Sequence, residues 1–116
     1  MDTTTKFGAL NCHGFKTNSD YINLLSKSHD ILYLLELWIT ESEKHLLDTY
    51  KNEFTHYFQP GSQGAAGRPF GGTALLVRKS LPKPELIMKN DFCTSIKIQL
   101  DRLFSPHHWR ISTIDF

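Results

Sequence analysis

What this chain lacks narrows its class. Only two of its 116 residues are cysteine, Cys12 and Cys93. Two thiols cannot build a disulfide framework, and they lack the paired spacing of a zinc site, so reduced cysteines with no disulfide partner are expected. No long hydrophobic run exists: the longest, Ile31 to Leu35, is interrupted by Glu36, which excludes a membrane-spanning helix and argues against a membrane partner. The opening Met1-Asp2-Thr3-Thr4-Thr5-Lys6 has no basic flank and apolar stretch of the secretory kind, so an intracellular location is expected. No charge sign dominates either, the formal net charge being +1. That balance hides an asymmetry. Residues 1–67 carry five lysines against eight acids, and residues 68–116 carry eight basic residues against four acids. A polyanion held by the second half, with carboxylates supplied by the first, fits this arrangement, and so does an ordinary solvated surface.

What is present is the composition of a folded domain. Apolar residues at 40% and charged residues at 22% exclude a disordered tail or low-complexity linker. Phe7 to Cys12 reads as a buried strand closed by a turn at His13-Gly14. Asn18-Ser19-Asp20 supplies helix N-cap chemistry, and Tyr21, Ile22, Leu24, Leu25 and Ser28 continue at helical spacing, predicting a helix from Ser19 to about Ser28. Ile31 to Ile39 holds eight apolar residues in nine without a helical stripe, as in a strand covered on both faces. Thr40-Glu41-Ser42-Glu43 matches a capping box, and Leu46, Leu47, Tyr50 and Phe54 fall on one side of the helix that follows. Strand, helix, strand, helix is the order of a parallel βαβ unit. Five of the seven glycines, from Gly61 to Gly72, mark a loop with Pro60 and Pro69. Beyond it Gly72–Arg78, Leu86–Met88, Thr94–Leu100 and Trp109–Phe116 read as strands in antiparallel pairing.

Glu36 carries the most chemical information. An ionised carboxylate inside a buried strand costs several kcal/mol unless it is paired or bound to metal. Two placements are open: the end of the strand facing a crevice and a cation, or a strand that stops at Leu35 and leaves Glu36 to solvent or a lysine. Asn11 ends the preceding strand in the matching position. Parallel neighbours would bring Asn11 and Glu36 to one edge, where open α/β sheets hold ligands. An amide beside a carboxylate suits Mg²⁺, which keeps several waters and takes one or two protein carboxylates; Asn11 is equally a common turn residue. Arg68, Arg78 and Lys79 are candidate phosphate contacts. The glycine patch contains no G-x-x-x-x-G-K-[ST] and is not a nucleotide phosphate loop. Ser28-His29-Asp30 is read as the turn closing the first helix rather than a triad, and His107-His108 as part of a hairpin loop.

Three blocks occur in order: Asn11-Cys12-His13-Gly14-Phe15, Asp30 to Trp38, and Gly67-Arg68-Pro69-Phe70-Gly71-Gly72-Thr73-Ala74-Leu75-Leu76-Val77. Together they resemble the endonuclease/exonuclease/phosphatase superfamily of deoxyribonuclease-I-like fold, most nearly the endonuclease domain of non-LTR retrotransposons. The resemblance runs from Lys6 to Phe116 and covers the first half of the family domain. It implies an α/β (α+β) fold, the N-terminal half of a four-layer α-β-β-α sandwich with a mixed sheet and two flanking helices, and residues 1–116 as one partial domain. It further implies Mg²⁺ or Mn²⁺ as cofactor, Glu36 as the metal ligand, Asn11 in the phosphate and metal pocket, and DNA as partner, with nuclear DNA the target if the source is a mobile element.

Two departures stand out. Leu35 occupies a position where the family often has Gln. The family's Asp-x-Asn pair, its further Asp and its Ser-Asp-His motif have no counterpart at the expected places, so the missing second half of the domain is counted as a required partner and the chain alone is expected to be inactive. Loss of that half is also expected to leave one apolar sheet face open. Other readings are a non-catalytic nucleic-acid or protein-binding scaffold on the same fold, and a family member acting on a phosphoinositide, a sphingolipid or abasic DNA.

Overall fold

A strand, a helical crossover and a second strand parallel to the first open the fold, as the hydrophobic pattern predicts. The computed structural model describes residues 5–64, 67–90, 94–102 and 109–116. Strand β1 (Phe7–Asn11) lies parallel to β2 (Ile31–Leu35), with Phe7 opposite Ile31 and Asn11 opposite Leu35. Helix α1 (Ser19–Ser26) makes the crossover and buries Ile22 and Ser26, while Tyr21 and Leu24 remain exposed. Asn18 precedes it without capping it. Its amide instead donates to the Cys12 carbonyl at 2.7 Å, tying the helix start to the end of β1.

The second helix differs from expectation. Glu41–Tyr50 winds as a 3-10 helix and stops before Phe54. Residues three apart eclipse in this winding, so Leu47 and Tyr50 are the pair that reaches the core. Glu43 accepts from the Thr40 N–H at 3.4 Å, the acidic half of the capping box. Phe54, expected on the helix, begins strand β3 (Phe54–Gln59). After the short hairpin β4 (Ser62–Gln63) and β5 (Pro69–Phe70), strand β6 (Thr73–Arg78) inserts between β2 and β3 and runs antiparallel to both. The first sheet is therefore mixed, in the order β1-β2-β6-β3.

Alternation along these strands sorts side chains into two cores. Leu32, Leu34, Phe58, Ala74 and Leu76 pack against Ile22, Leu47 and Tyr50 on the helical side. Ile31, Leu75 and Val77 face the other way and meet Ile96, Ile98 and Phe116 of a second sheet. That sheet is β7 (Glu85–Lys89), β8 (Thr94–Arg102) and β9 (Trp109–Asp115), antiparallel throughout. The described residues thus form three layers, helical, sheet and sheet. The inner face of the first sheet is covered rather than open, which corrects the expectation of a bare apolar face. Exposed apolar side chains gather instead on β7, at Leu86, Ile87 and Met88. Among the described residues no helix is long and apolar enough to cross a membrane. Cys93 and His107-His108 lie outside the described residues.

Candidate functional site

The carboxyl ends of β1 and β2 open into two loops that remain paired beyond the strands. Cys12 N–H donates to the Leu35 carbonyl at 2.7 Å, Gly14 to Glu36 at 2.9 Å and Phe15 to Leu37 at 2.8 Å. From the other side, Leu37 and Trp38 donate to the carbonyls of Gly72 and Gly71 at 3.0 and 2.9 Å. Gly71 and Gly72 have φ of +71° and +87°, a conformation open to glycine at little cost. The glycine pair lets the chain turn into β6 while its carbonyls face the Glu36 loop. Gly72 has a second reason to lack a side chain, since a Cβ there would lie 3.0 Å from the Gly61 nitrogen.

Strand β2 stops at Leu35, so Glu36 is not inside the strand. It is half-buried at the strand's end with φ +53°, and Trp38 two residues later has φ +57°. Left-handed backbone at a non-glycine residue costs about 1–2 kcal/mol, and this loop holds two such residues. The strain is offset by the five backbone bonds just described. Its result is local: the Trp38 indole Nε1–H donates to Glu36 Oε2 at 2.9 Å. Oε1 has no hydrogen-bond donor among the described residues.

Asn11 emerges at the same edge, as the parallel register requires, opposite Leu35. It is exposed, and its Oδ1 accepts from the His13 N–H at 3.3 Å. His13 has φ +46° and sets its ring edge-on to Trp38 with centroids 6.2 Å apart. Thr73, the first residue of β6, stands opposite Gln59 and one step beyond the Leu34–Ala74 pair. Its Oγ1 is buried and finds no partner among the described residues. Arg68 reaches this edge as well, its guanidinium 3.8 Å from the Trp38 ring centroid. Gly14, Lys16, Leu37, Trp38, Gly67 and Arg68 line a cleft of about 280 Å³ there. Lys16 is paired with Glu43, and this hydrogen bond is the main cause holding the Glu43 carboxyl below its ordinary value.

Arg78 and Lys79 are not part of this edge. Because β6 runs antiparallel to β2, they fall at the opposite end of the sheet, beyond the Ile31–Val77 pair. Arg78 donates to the Ser26 and His29 carbonyls, the latter at 2.8 Å, and pairs with Asp30 at 3.5 Å and Glu53 at 3.6 Å. Its guanidinium also covers the Phe54 ring at 4.5 Å. These contacts make it a structural clamp at the end of the sheet away from Glu36. Lys79 is exposed beside it, its N–H donating to the Glu53 carbonyl. Ser28-His29-Asp30 is the expected turn. Ser28 N–H returns to the Leu25 carbonyl, and Asp30 accepts from the Lys6 N–H at 2.9 Å. Cys12 is a core residue, its thiol pushed up to about 11 by burial.

Sequence reasoning did not anticipate Trp38 as part of the site, because an aromatic in an apolar run reads as core. Nor could it anticipate Thr73, whose isolation depends on the strands beside it.

No family model matches the chain, and no curated protein matches it. Solved structures do. The 3′ phosphatase NExo from Neisseria, bound to a product DNA hairpin, aligns over 82% of this chain with a TM-score of 0.56 and 14% identity. The 3′–5′ exonuclease NExo from Neisseria meningitidis aligns over 83% with a TM-score of 0.54 and 16% identity. The fold is deoxyribonuclease-I-like. This chain spans 38% of each of those proteins. In the deoxyribonuclease-I-like arrangement seen here the two sheets face each other, and the Glu36 loop lies at one end of the first.

Among the described residues no three His, Cys, Asp or Glu side chains converge on one point. That donor set does not fit zinc, which takes four N or S ligands in structural sites, or calcium, which takes six to eight oxygens. It does fit a contribution to Mg²⁺ or Mn²⁺. Among the described residues Glu36 Oε1 has no donor and Asn11 Oδ1 accepts only the 3.3 Å bond from His13 N–H, and waters would complete such a shell.

Proposed function

We propose that this chain carries the cation-binding edge of a metal-dependent phosphodiesterase acting on DNA, with Glu36 as metal ligand and Asn11 beside it. The observation that carries this reading is the Glu36 carboxylate at the end of a buried strand, one oxygen held by Trp38 and the other without a donor among the described residues. The three sequence blocks support it, as does a fold similar to a DNA-bound phosphatase. Endonuclease activity of the retrotransposon kind, acting on nuclear DNA, is the specific form that the Asn11 to Phe15 and Asp30 to Trp38 blocks favour.

A bound Mg²⁺ or Mn²⁺ would supply Lewis-acid polarisation of a phosphoryl oxygen. Glu36 would hold the ion through Oε1 while Trp38 occupies Oε2. Asn11, exposed and turned by its bond to His13 N–H, would add a neutral oxygen or orient a phosphate. Arg68, whose guanidinium lies over Trp38 at this edge, would meet a phosphate there, whereas Arg78 lies at the other end of the sheet. Activation of water by a histidine paired with a carboxylate is not supplied at this edge by the described residues, and the reading assigns that step to a second part of the domain.

Calorimetric titration of the 116-residue chain with Mn²⁺ tests the proposal. Saturable binding that Glu36→Gln abolishes is the expected result. Equal binding by wild type and Glu36→Gln would favour a non-catalytic scaffold, which has no use for that charge.

A further inference from the structure

Trp38 shares a strained loop with Glu36 and donates its indole N–H to that carboxylate. We propose that Trp38 is a positioning residue for Glu36: its indole N–H holds Oε2 and so presents Oε1 to a divalent cation. The inference rests on Glu36 being the cation ligand and deepens that reading.

Geometry makes the contact unusual. In an extended strand, residues i and i+2 share a face but stand about 6.6 Å apart at 3.3 Å per residue. The left-handed backbone at both Glu36 and Trp38 brings the indole nitrogen to 2.9 Å from the carboxylate across a single residue, Leu37. Leu37 itself is fully buried and its N–H is bound to the Gly72 carbonyl, so the turn is anchored between the two side chains.

The indole is held on several sides. Arg68 lies over its face at 3.8 Å, and His13 meets it edge-on. Gly14, with φ +97°, leaves the room it needs, since a Cβ there would come within 2.9 Å of Trp38 Cε3. Ring fixation of this kind converts a mobile aromatic into an aimed donor.

The chemistry of the donor also suits the task. An indole N–H donates and never accepts, so it cannot compete with the carboxylate for a cation. It carries no charge, whereas a lysine or arginine in the same place would orient Glu36 and repel the ion together. Partners of this type, bonded to a metal ligand, typically change metal affinity 10–100-fold when removed.

The test uses the 116-residue chain and Mn²⁺ alone. Trp38 is replaced by 3-benzothienylalanine, which keeps the bicyclic shape and puts sulfur in place of N–H, and separately by Phe in Trp38→Phe. Each is expected to weaken Mn²⁺ binding about tenfold, the benzothienyl chain at an unchanged unfolding midpoint. In metal-free protein the Trp38 indole N–H should exchange slowly with solvent by NMR, and quickly in Glu36→Ala. Wild-type Mn²⁺ affinity in the benzothienyl chain, with binding lost in Glu36→Gln, would overturn the positioning role and leave the Glu36 reading intact. Full binding by Glu36→Gln, or none by wild type, would remove both. A freely exchanging indole N–H in the wild type would remove the hydrogen bond on which the inference stands.

Discussion

The Thr94 hydroxyl donates to Gln59 Oε1 at 2.8 Å, and this bond joins the two sheets. Both residues are buried, and the Gln59 amide also donates to the Asn90 carbonyl at 3.0 Å. The polar contact sits at the end of β3 and the start of β8. A buried polar pair is stabilising only while both partners are present. Gln59→Leu should therefore cost about 1–3 kcal/mol by isolating the Thr94 hydroxyl. Adding Thr94→Val should recover part of that loss. A double-mutant cycle by urea denaturation measures the coupling; simple additivity would show that the bond does not tie the sheets.

Arg78 closes the opposite end of the first sheet. It joins the end of α1, the turn before β2 and the start of β3. Hydrogen bonds to a charged group contribute about 1.5–3 kcal/mol, and the Glu53 partner, being exposed, adds little. Arg78→Met should lower stability by about 2–3 kcal/mol and leave Mn²⁺ affinity as in wild type, because the residue lies away from Glu36. Lys79→Ala should alter neither. A large loss of cation binding in Arg78→Met with unchanged stability would place its charge back at the site.

Alkaline pH should unfold the protein through two buried acids. Burial pushes the Cys12 thiol from 9.0 up to about 11 and the Tyr50 phenol from 10.0 up to about 12. A raised value in the fold means the neutral form is favoured there, so stability is complete below about pH 9 and declines as pH rises towards 12. Tyr50 also donates to Asn23 Oδ1, a bond its phenolate would lose. Thermal midpoints followed from pH 8 to 11.5 should fall, and should fall less steeply in Tyr50→Phe. Parallel curves for the two proteins would show that Tyr50 is not kept neutral by the fold.

Mild acid acts on His56 in β3. Burial lowers its value, with the Asp48 charge opposing and Lys44 assisting. The neutral ring is favoured in the fold, so its contribution is present above the ordinary histidine value of 6.5 and is lost as pH falls below it. His56→Gln should show a shallower loss of thermal stability between pH 7 and 5 than wild type. Identical slopes would refute this.

Plasmid DNA tests the division of labour. His13 lies at the Glu36 edge but touches the Trp38 ring, and no carboxylate pairs with it among the described residues. If Glu36 holds the cation as proposed, and with no histidine–carboxylate pair at that edge among the described residues, the chain should not nick supercoiled plasmid in Mg²⁺ above the rate of buffer. Mg²⁺-dependent nicking that Glu36→Ala abolishes would show a complete catalytic set within these 116 residues.

Local pattern determined much of this protein. The apolar runs at Phe7 and Ile31 with a capped helix between them predict a parallel pair, and the pair forms in a register that puts Asn11 and Glu36 at one edge. The strand after the Gly61 to Gly72 patch is legible in the same way, whereas the patch, expected as a loop, pairs with itself as β4 and β5. Strand β3 was not legible. Phe54 continues the spacing of Leu46, Leu47 and Tyr50, so the helical period masked a strand whose place is set by pairing with β6. The role of Arg78 was equally hidden: a basic residue ending a strand looks solvent-bound until an antiparallel neighbour carries it to the far end. Tertiary structure alone decided where β2 ends and that Glu36 and Trp38 turn left-handed. Both depend on carbonyls from Gly71 and Gly72, more than thirty residues away, which a one-dimensional pattern cannot bring near.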